Sequence, residues 1–215
     1  MKFILPIVAF FAFTVSINAQ KPTPTPMPPP FLMAVEDVFY ISGRGTVATG
    51  KIERGSIKVG DTIEIVGINP TKTVTVSGIE MFRKMLDTAK TGENVGIMLR
   101  GVEKTDVKRG QVLAKRGSIK AYTSFTAMID LSPTGEAGRS TPVTDNYRPQ
   151  LYFRTSSFSA TLKLPNGTKS IAPGAKGVVV QITLTEPVPI EKGQVFAIRE
   201  ASRTIGSGTV TALPK

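Results

Sequence analysis

A chain of 215 residues with 40% hydrophobic content is long enough to bury one or two cores, and nothing in it reads as wholesale disorder. It holds no cysteine and no histidine, which excludes thiol nucleophiles, Ser/His/Asp triads, disulfide staples and zinc sites of the usual ligand set. The formal charge of +11 favours anionic partners such as nucleic acid, anionic lipid or cell-wall polymer through long-range attraction, without choosing among them.

In chain order, Met1 to Gln20 carries Lys2, an apolar stretch from Phe3 to Val15, then Ser16, Ile17, Asn18 and Ala19. This is the order of a secretory signal peptide, residues 1–20: a positive start, an apolar run too short to span a bilayer comfortably, and a small residue before a cut after Ala19. Ile17 and Pro6 depart from the pattern, and an uncleaved membrane anchor is the second reading. With no cysteine at the cut, a lipid-anchored form is excluded. The expectation is an exported protein, periplasmic or secreted; with an idle leader it would stay in the cytoplasm. Residues 21–30, KPTPTPMPPP, read as an extended polyproline-type linker, a tether in preference to a proline-rich recognition ligand.

From Phe31 onward hydrophobicity alternates with period two, the signature of half-buried strands. Phe125, Ala127, Ile129 and Leu131 alternate with Ser124, Thr126, Met128 and Asp130; Val178, Val180, Ile182 and Leu184 do so further on. Gly50, Gly55, Gly60, Gly67, Gly78 and Gly101 read as turns, and Asn166-Gly167 reads as a hairpin turn, with Thr168 also completing a glycosylation sequon. The fold class is therefore all-β: two consecutive antiparallel β-barrels, 31–118 and 119–215, with a boundary near Gly117 to Tyr122. The one helix-like pattern, Met81, Phe82, Met85, Leu86 and Ala89, predicts a helical turn inside a loop.

Two motifs tempt an enzymatic reading. Gly45 to Lys51 has the spacing of a phosphate-binding loop, but Ile52 stands where a Ser or Thr should meet magnesium, and strand-like flanks replace strand-then-helix. Glu36 and Asp37 are adjacent, so on a strand they point to opposite faces and cannot flank one scissile bond. No catalytic residue, metal ligand or cofactor site is assigned.

Longer strings carry more. FLMAVEDVFYISGRGTVATGKIERGSIKVGD from Phe31, IEMFRK from Ile79, GENVGIMLRGVEKTDVKRGQVLAK from Gly92, YRPQLYFRT from Tyr147 and FAIREASRT from Phe196 stand in one order. Through them the chain resembles the second and third domains of elongation factor Tu, a translational GTPase; no stretch resembles its GTPase domain. The resemblance implies aminoacyl-tRNA binding in translation elongation, without GTP hydrolysis. It also implies a pocket for the aminoacyl group and terminal adenosine formed by Glu36, Asp37, Phe39, Thr49, Glu80, Asn94 and Arg109. Arg139 and Thr155 match positions near the T-stem. Around them the pattern is broken: Ser140 stands for a usual His, Ala201-Ser202 for a Gly-Gly pair, and Glu186 for a position that is often basic. A carboxylate facing phosphate repels, and a side chain where glycine allowed close approach adds steric cost, so the expected grip on transfer RNA is weakened. Two readings stay open: an inherited aminoacyl-tRNA module, with docking to a separate GTPase domain left undecided, or an exported interaction protein whose basic barrels bind an anionic surface polymer or host ligand.

Overall fold

The computed structural model describes residues 28–135 and 139–214. The expected leader, and the linker as far as Met27, lie outside them. Ten strands come first: β1 (Leu32–Ala34), β2 (Asp37–Ile41), β3 (Gly45–Arg54), β4 (Ser56–Lys58), β5 (Thr62–Gly67), β6 (Asn69–Met81), β7 (Lys84–Leu86), β8 (Thr88–Lys90), β9 (Asn94–Arg100) and β10 (Val112–Lys115). Six of them close a ring in the order β1-β10-β5-β6-β9-β3, sealed where β1 pairs with β3. Closure leaves these six strands no free edge toward one another, and their inward side chains, among them Met33, Ile52, Ile65, Ile79, Ile97 and Leu99, form one core. Four strands lie outside the ring: β4 pairs with β8, while β2 on β3 and β7 on β6 bound the site described below.

Eight strands follow: β11 (Lys120–Leu131), β12 (Val143–Thr144), β13 (Gln150–Phe153), β14 (Ser156–Lys163), β15 (Ser170–Ile171), β16 (Val178–Ile190), β17 (Val195–Glu200) and β18 (Arg203–Ala212). A second antiparallel barrel closes in the order β11-β16-β14-β13-β17-β18. Phe125, Phe153 and Phe196 meet at its centre, with ring centroids 5.0 to 5.9 Å apart. The period-two reading of β11 holds residue by residue: Phe125, Ala127, Ile129 and Leu131 are buried, and their alternating partners are not.

Three turn readings are corrected. Met81 to Ala89 contains no helical turn: β7 folds back on β6 with Met81 opposite Lys84 and Glu80 opposite Met85, and Phe82-Arg83 make the two-residue turn. The cause lies in β6, which pairs with β9 along one edge at Ile79 and Glu80, while β5 reaches only as far as Thr75 on the other. Hairpin formation satisfies the backbone groups left there, which an isolated helical turn would not. Gly50 and Gly78 lie within strands. At Gly50 a Cβ would stand 2.0 Å from the carbonyl oxygen of Ala34, so glycine is required by the close passage of the chain after β1. Asn166-Gly167 does form a turn, closed by Thr168 N donating to Pro165 O at 3.0 Å, but no hairpin follows, because β15 pairs with β12 instead of β14. The stretch from Gly45 to Lys51 is part of the ten-residue strand β3 and offers no phosphate cradle.

The barrels are docked through polar and apolar contacts. Leu32, Val66, Val112, Ala114 and Ile119 cluster on the outward face of β1, β5 and β10, with Ala121 of β11 packed on them, so these strands are buried on both faces. Ile68 N donates to Pro187 O at 2.6 Å. Arg54 forms a two-pronged pair with Glu191 at 2.6 and 2.7 Å, and Arg154 reaches Glu53 at 3.1 Å and Pro189 O at 2.7 Å. The hydrogen bond to Glu191 is the main cause that raises the Arg54 pKa above its ordinary value.

Candidate nucleic-acid and aminoacyl site

The outward faces of β2, β3 and β9, with the β6–β7 turn, enclose a cleft of about 310 Å³. Strand pairing places it. Asp37 is opposite Thr49, Thr49 opposite Gly96, and Glu80 opposite both Gly96 and Met85, so one outward row crosses five strands. In the middle of that row Gly96 keeps the floor low: a Cβ there would come within 3.1 Å of Val47 Cγ1. Five of the seven residues expected in the pocket line this cleft: Glu36, Phe39, Thr49, Glu80 and Asn94. Asp37 stays exposed at the end of the row, where its carbonyl oxygen accepts from Thr49 Oγ1 at 3.3 Å.

The lining groups differ in their availability. Glu36 and Asn94 make no side-chain hydrogen bond among the described residues, and Phe39 is 50% exposed. Glu80 is engaged: Arg44, in the turn between β2 and β3, donates to its carboxylate. A carboxylate and an amide with open hydrogen-bonding capacity, beside an aromatic face and over an apolar floor, suit a ligand that carries an ammonium or hydroxyl groups next to a flat apolar part.

Arg109 is not part of the cleft. Its Nε donates to Thr155 O at 2.6 Å, across the barrel junction. Thr155 in turn donates from Oγ1 to Val35 O at 2.8 Å, so both residues hold the barrels together. Gly110 allows this approach: it sits at φ +95°, and a Cβ would stand 2.8 Å from Ser156 Cβ and 2.9 Å from Phe158 Cζ. Arg139 is engaged within the second barrel. Its guanidinium donates to Glu200, to Tyr147 Oη at 2.9 Å and to both oxygens of Thr141, and lies 4.6 Å from the centroid of the Tyr147 ring. Burial pushes the Tyr147 hydroxyl pKa up, so Tyr147 stays a neutral partner at physiological pH. Ser140, Glu186, Ala201 and Ser202 are exposed, with Ala201 held at φ +51° in the β17–β18 turn.

Residues 45–114 match the family model described as elongation factor Tu domain 2, and residues 118–213 match that of the elongation factor Tu C-terminal domain. The chain belongs to the elongation factor Tu family. Its two barrels match the second and third domains of that factor, and no GTPase-domain family matches the chain.

Among the residues at this site of the elongation factor Tu relative, Arg44, which pairs with Glu80 from beside the cleft, and Phe82, which lines it, escaped the sequence reading. Arg44 gave no signal beyond a lone cation between glycine-flanked positions. Phe82 was hidden because the apolar spacing around it imitates a helix. It lines the cleft from the β6–β7 turn, yet it is 87% exposed. Phe82 and Arg83 both adopt left-handed conformations, φ +51° and +64°. Two-residue hairpins of this hand favour Asn-Gly, and a left-handed residue other than glycine costs about 1–2 kcal/mol.

Proposed function

We propose that the first barrel holds the aminoacylated 3′ end of a transfer RNA, the passive and nucleotide-independent part of elongation factor Tu activity. The observation that carries this reading is the cleft itself, where Glu36, Phe39, Thr49, Glu80 and Asn94 converge around about 310 Å³. In it Glu36 accepts from the α-amino group or a ribose hydroxyl, Asn94 supplies an amide to the ester, and Phe39 offers its face to an apolar group. The second barrel contributes net positive charge and a rigid support. Arg139 and Thr155, each engaged elsewhere, contribute no directed contact to the T-stem. Binding is therefore weak in the RNA stem and selective at its tip, and the chain itself neither binds nor hydrolyses GTP.

Equilibrium titration with aminoacylated and deacylated transfer RNA tests this, with and without GTP. The aminoacylated form should bind more tightly to the same degree in both conditions. Glu36→Ala or Asn94→Ala should reduce that preference by about 1–3 kcal/mol, the usual cost of stranding a polar partner. Equal binding of both forms, weakening steeply with salt, would leave only charge at work.

The second reading, an exported interaction protein whose basic barrels bind an anionic surface polymer or host ligand, is supported by Lys2, the apolar run from Phe3 to Val15, and Ala19. Mass spectrometry of the native protein should find a mature N-terminus at Gln20. An intact Met1 in a cytoplasmic fraction would remove the exported-binder reading.

A further inference from the structure

We infer that the outer face of β11, β14 and β16 in the second barrel is a binding groove for an acidic polysaccharide, with Lys163 meeting a uronate carboxylate. The inference rests on the second reading, the exported interaction protein, and names the chemistry and the place of its ligand. Strand register builds the groove. Lys163 on β14 lies opposite Gln181 on β16, and Gln181 lies opposite Thr126 on β11, so a cation, an amide and a hydroxyl stand in one outward row. On one side of that row Pro165, Asn166 and Val179 bound a cleft of about 380 Å³. On the other, Ser124 and Thr183 bound a second cleft of about 280 Å³, which shares Thr126 and Gln181 with the first. Two clefts with a common polar wall suit neighbouring units of a linear chain.

The lining selects the ligand. Lys163, Asn166 and Gln181 are exposed, and their side chains have no hydrogen-bond or ion-pair partner among the described residues. Lys169 and Lys176 lie in the segment that joins β14 to β16 at this end. The carboxylates there, Asp130 and Asp145, accept from the backbone N–H of Gly177 at 2.7 Å and of Leu164 at 2.9 Å. Val179, 51% exposed, lies opposite Met128, 44% exposed, so an apolar strip borders the row and suits the C–H face of a sugar ring. A single ammonium among amides and hydroxyls fits a carboxylate on a polyhydroxylated ring. Phosphate and sulfate favour guanidinium forks, and among the described residues no arginine lines either cleft. Phe125, the one aromatic residue of the two clefts, is buried, so neither offers the stacking platform that a single-stranded nucleic acid uses.

Oligogalacturonate, its methyl ester and polyuridylate are titrated at low salt against the unsubstituted protein, K163Q, Q181A and K192Q. Lys192 is exposed between β16 and β17, at the far end of β16 from Val179, so K192Q removes the same charge outside the groove. Oligogalacturonate should bind, and esterification or K163Q should each weaken it about tenfold, as the loss of a charge-assisted hydrogen bond does. Q181A should weaken it about fivefold without any change of charge, and K192Q by less than about twofold, with melting temperatures unchanged throughout. If K192Q costs as much as K163Q, the groove is overturned and the second reading stands on diffuse charge alone. If polyuridylate binds and oligogalacturonate does not, the polysaccharide is overturned in favour of a nucleic acid. If neither polyanion binds, the second reading fails and takes the groove with it.

Discussion

The first-barrel cleft and the second-barrel positions near Arg139 were inferred from the same resemblance, but the structure treats them differently. In the cleft, Glu36 and Asn94 keep their hydrogen-bonding groups open and Phe39 keeps its face exposed. In the second barrel Arg139 is only 16% exposed and donates to three residues, while Thr155 and Arg109 bind across the junction. A matching residue type thus does not by itself leave a polar group open to a ligand. What decides is whether the polar group already has a partner, because displacing a charged hydrogen bond of about 1.5–3 kcal/mol leaves little net gain for a ligand.

That comparison rests on the barrels being one rigid support, and the sharpest way to break it is to pry them apart. Gly110→Val adds a β-branched side chain at φ +95°, against Ser156 and Phe158. Left-handed strain of about 1–2 kcal/mol and overpacking of about 1–3 kcal/mol should together remove about 2–5 kcal/mol of stability. Calorimetry should then resolve two transitions where the unsubstituted protein shows one. A single, unshifted transition would mean that the junction contributes nothing to folding.

The fold was legible in the sequence because alternation survives wherever a strand has one dry face and one wet face, as along β11. It failed at the β6–β7 hairpin. There Met81, Phe82, Met85 and Leu86 are apolar for separate reasons, one of them at the exposed tip, and their spacing resembles a helix only by coincidence. The site was half legible. Residue identity pointed to Glu36, Phe39, Thr49, Glu80 and Asn94, which converge, but it carried no information on the partners that draw Arg109, Thr155 and Arg139 away. Val35, in the other barrel from Thr155, and Glu200, 61 residues from Arg139, are far away in the chain, so no local pattern announces them.

Substitution at Arg139 sharpens the comparison with a smaller effect. Arg139→Ala strands Glu200 and the Tyr147 hydroxyl, so it should cost about 1–3 kcal/mol of stability in denaturant titration. Aminoacylated transfer RNA should still bind within about threefold of the unsubstituted affinity, since one charge is lost from a nonspecific field. Glu36→Ala should show the reverse: stability kept and discrimination lost. If Arg139→Ala weakened RNA binding as strongly as Glu36→Ala, the guanidinium would have to leave its internal partners on binding.

The smallest effect concerns an engaged carboxylate in the same barrel as the cleft. Asp106 accepts from Lys72 Nζ at 2.5 Å and from Glu103 N at 3.0 Å, and the Lys72 hydrogen bond is the first cause that lowers its pKa below the ordinary 3.8. A depressed folded-state value means that its stabilisation is fully present above the unfolded value and disappears as pH falls through the folded one. Asp106→Asn should therefore lower stability slightly at neutral pH and flatten the acid limb below about pH 4, where the unsubstituted protein loses this contribution and the variant has none to lose. Urea midpoints measured between pH 2 and 7 give both curves. If they stay parallel down to pH 2, the Lys72–Asp106 contact does not persist in solution, and the turn from Lys104 to Asp106 is held by its backbone and by the Asn69 side-chain amide, which donates to Asp106 O at 3.2 Å.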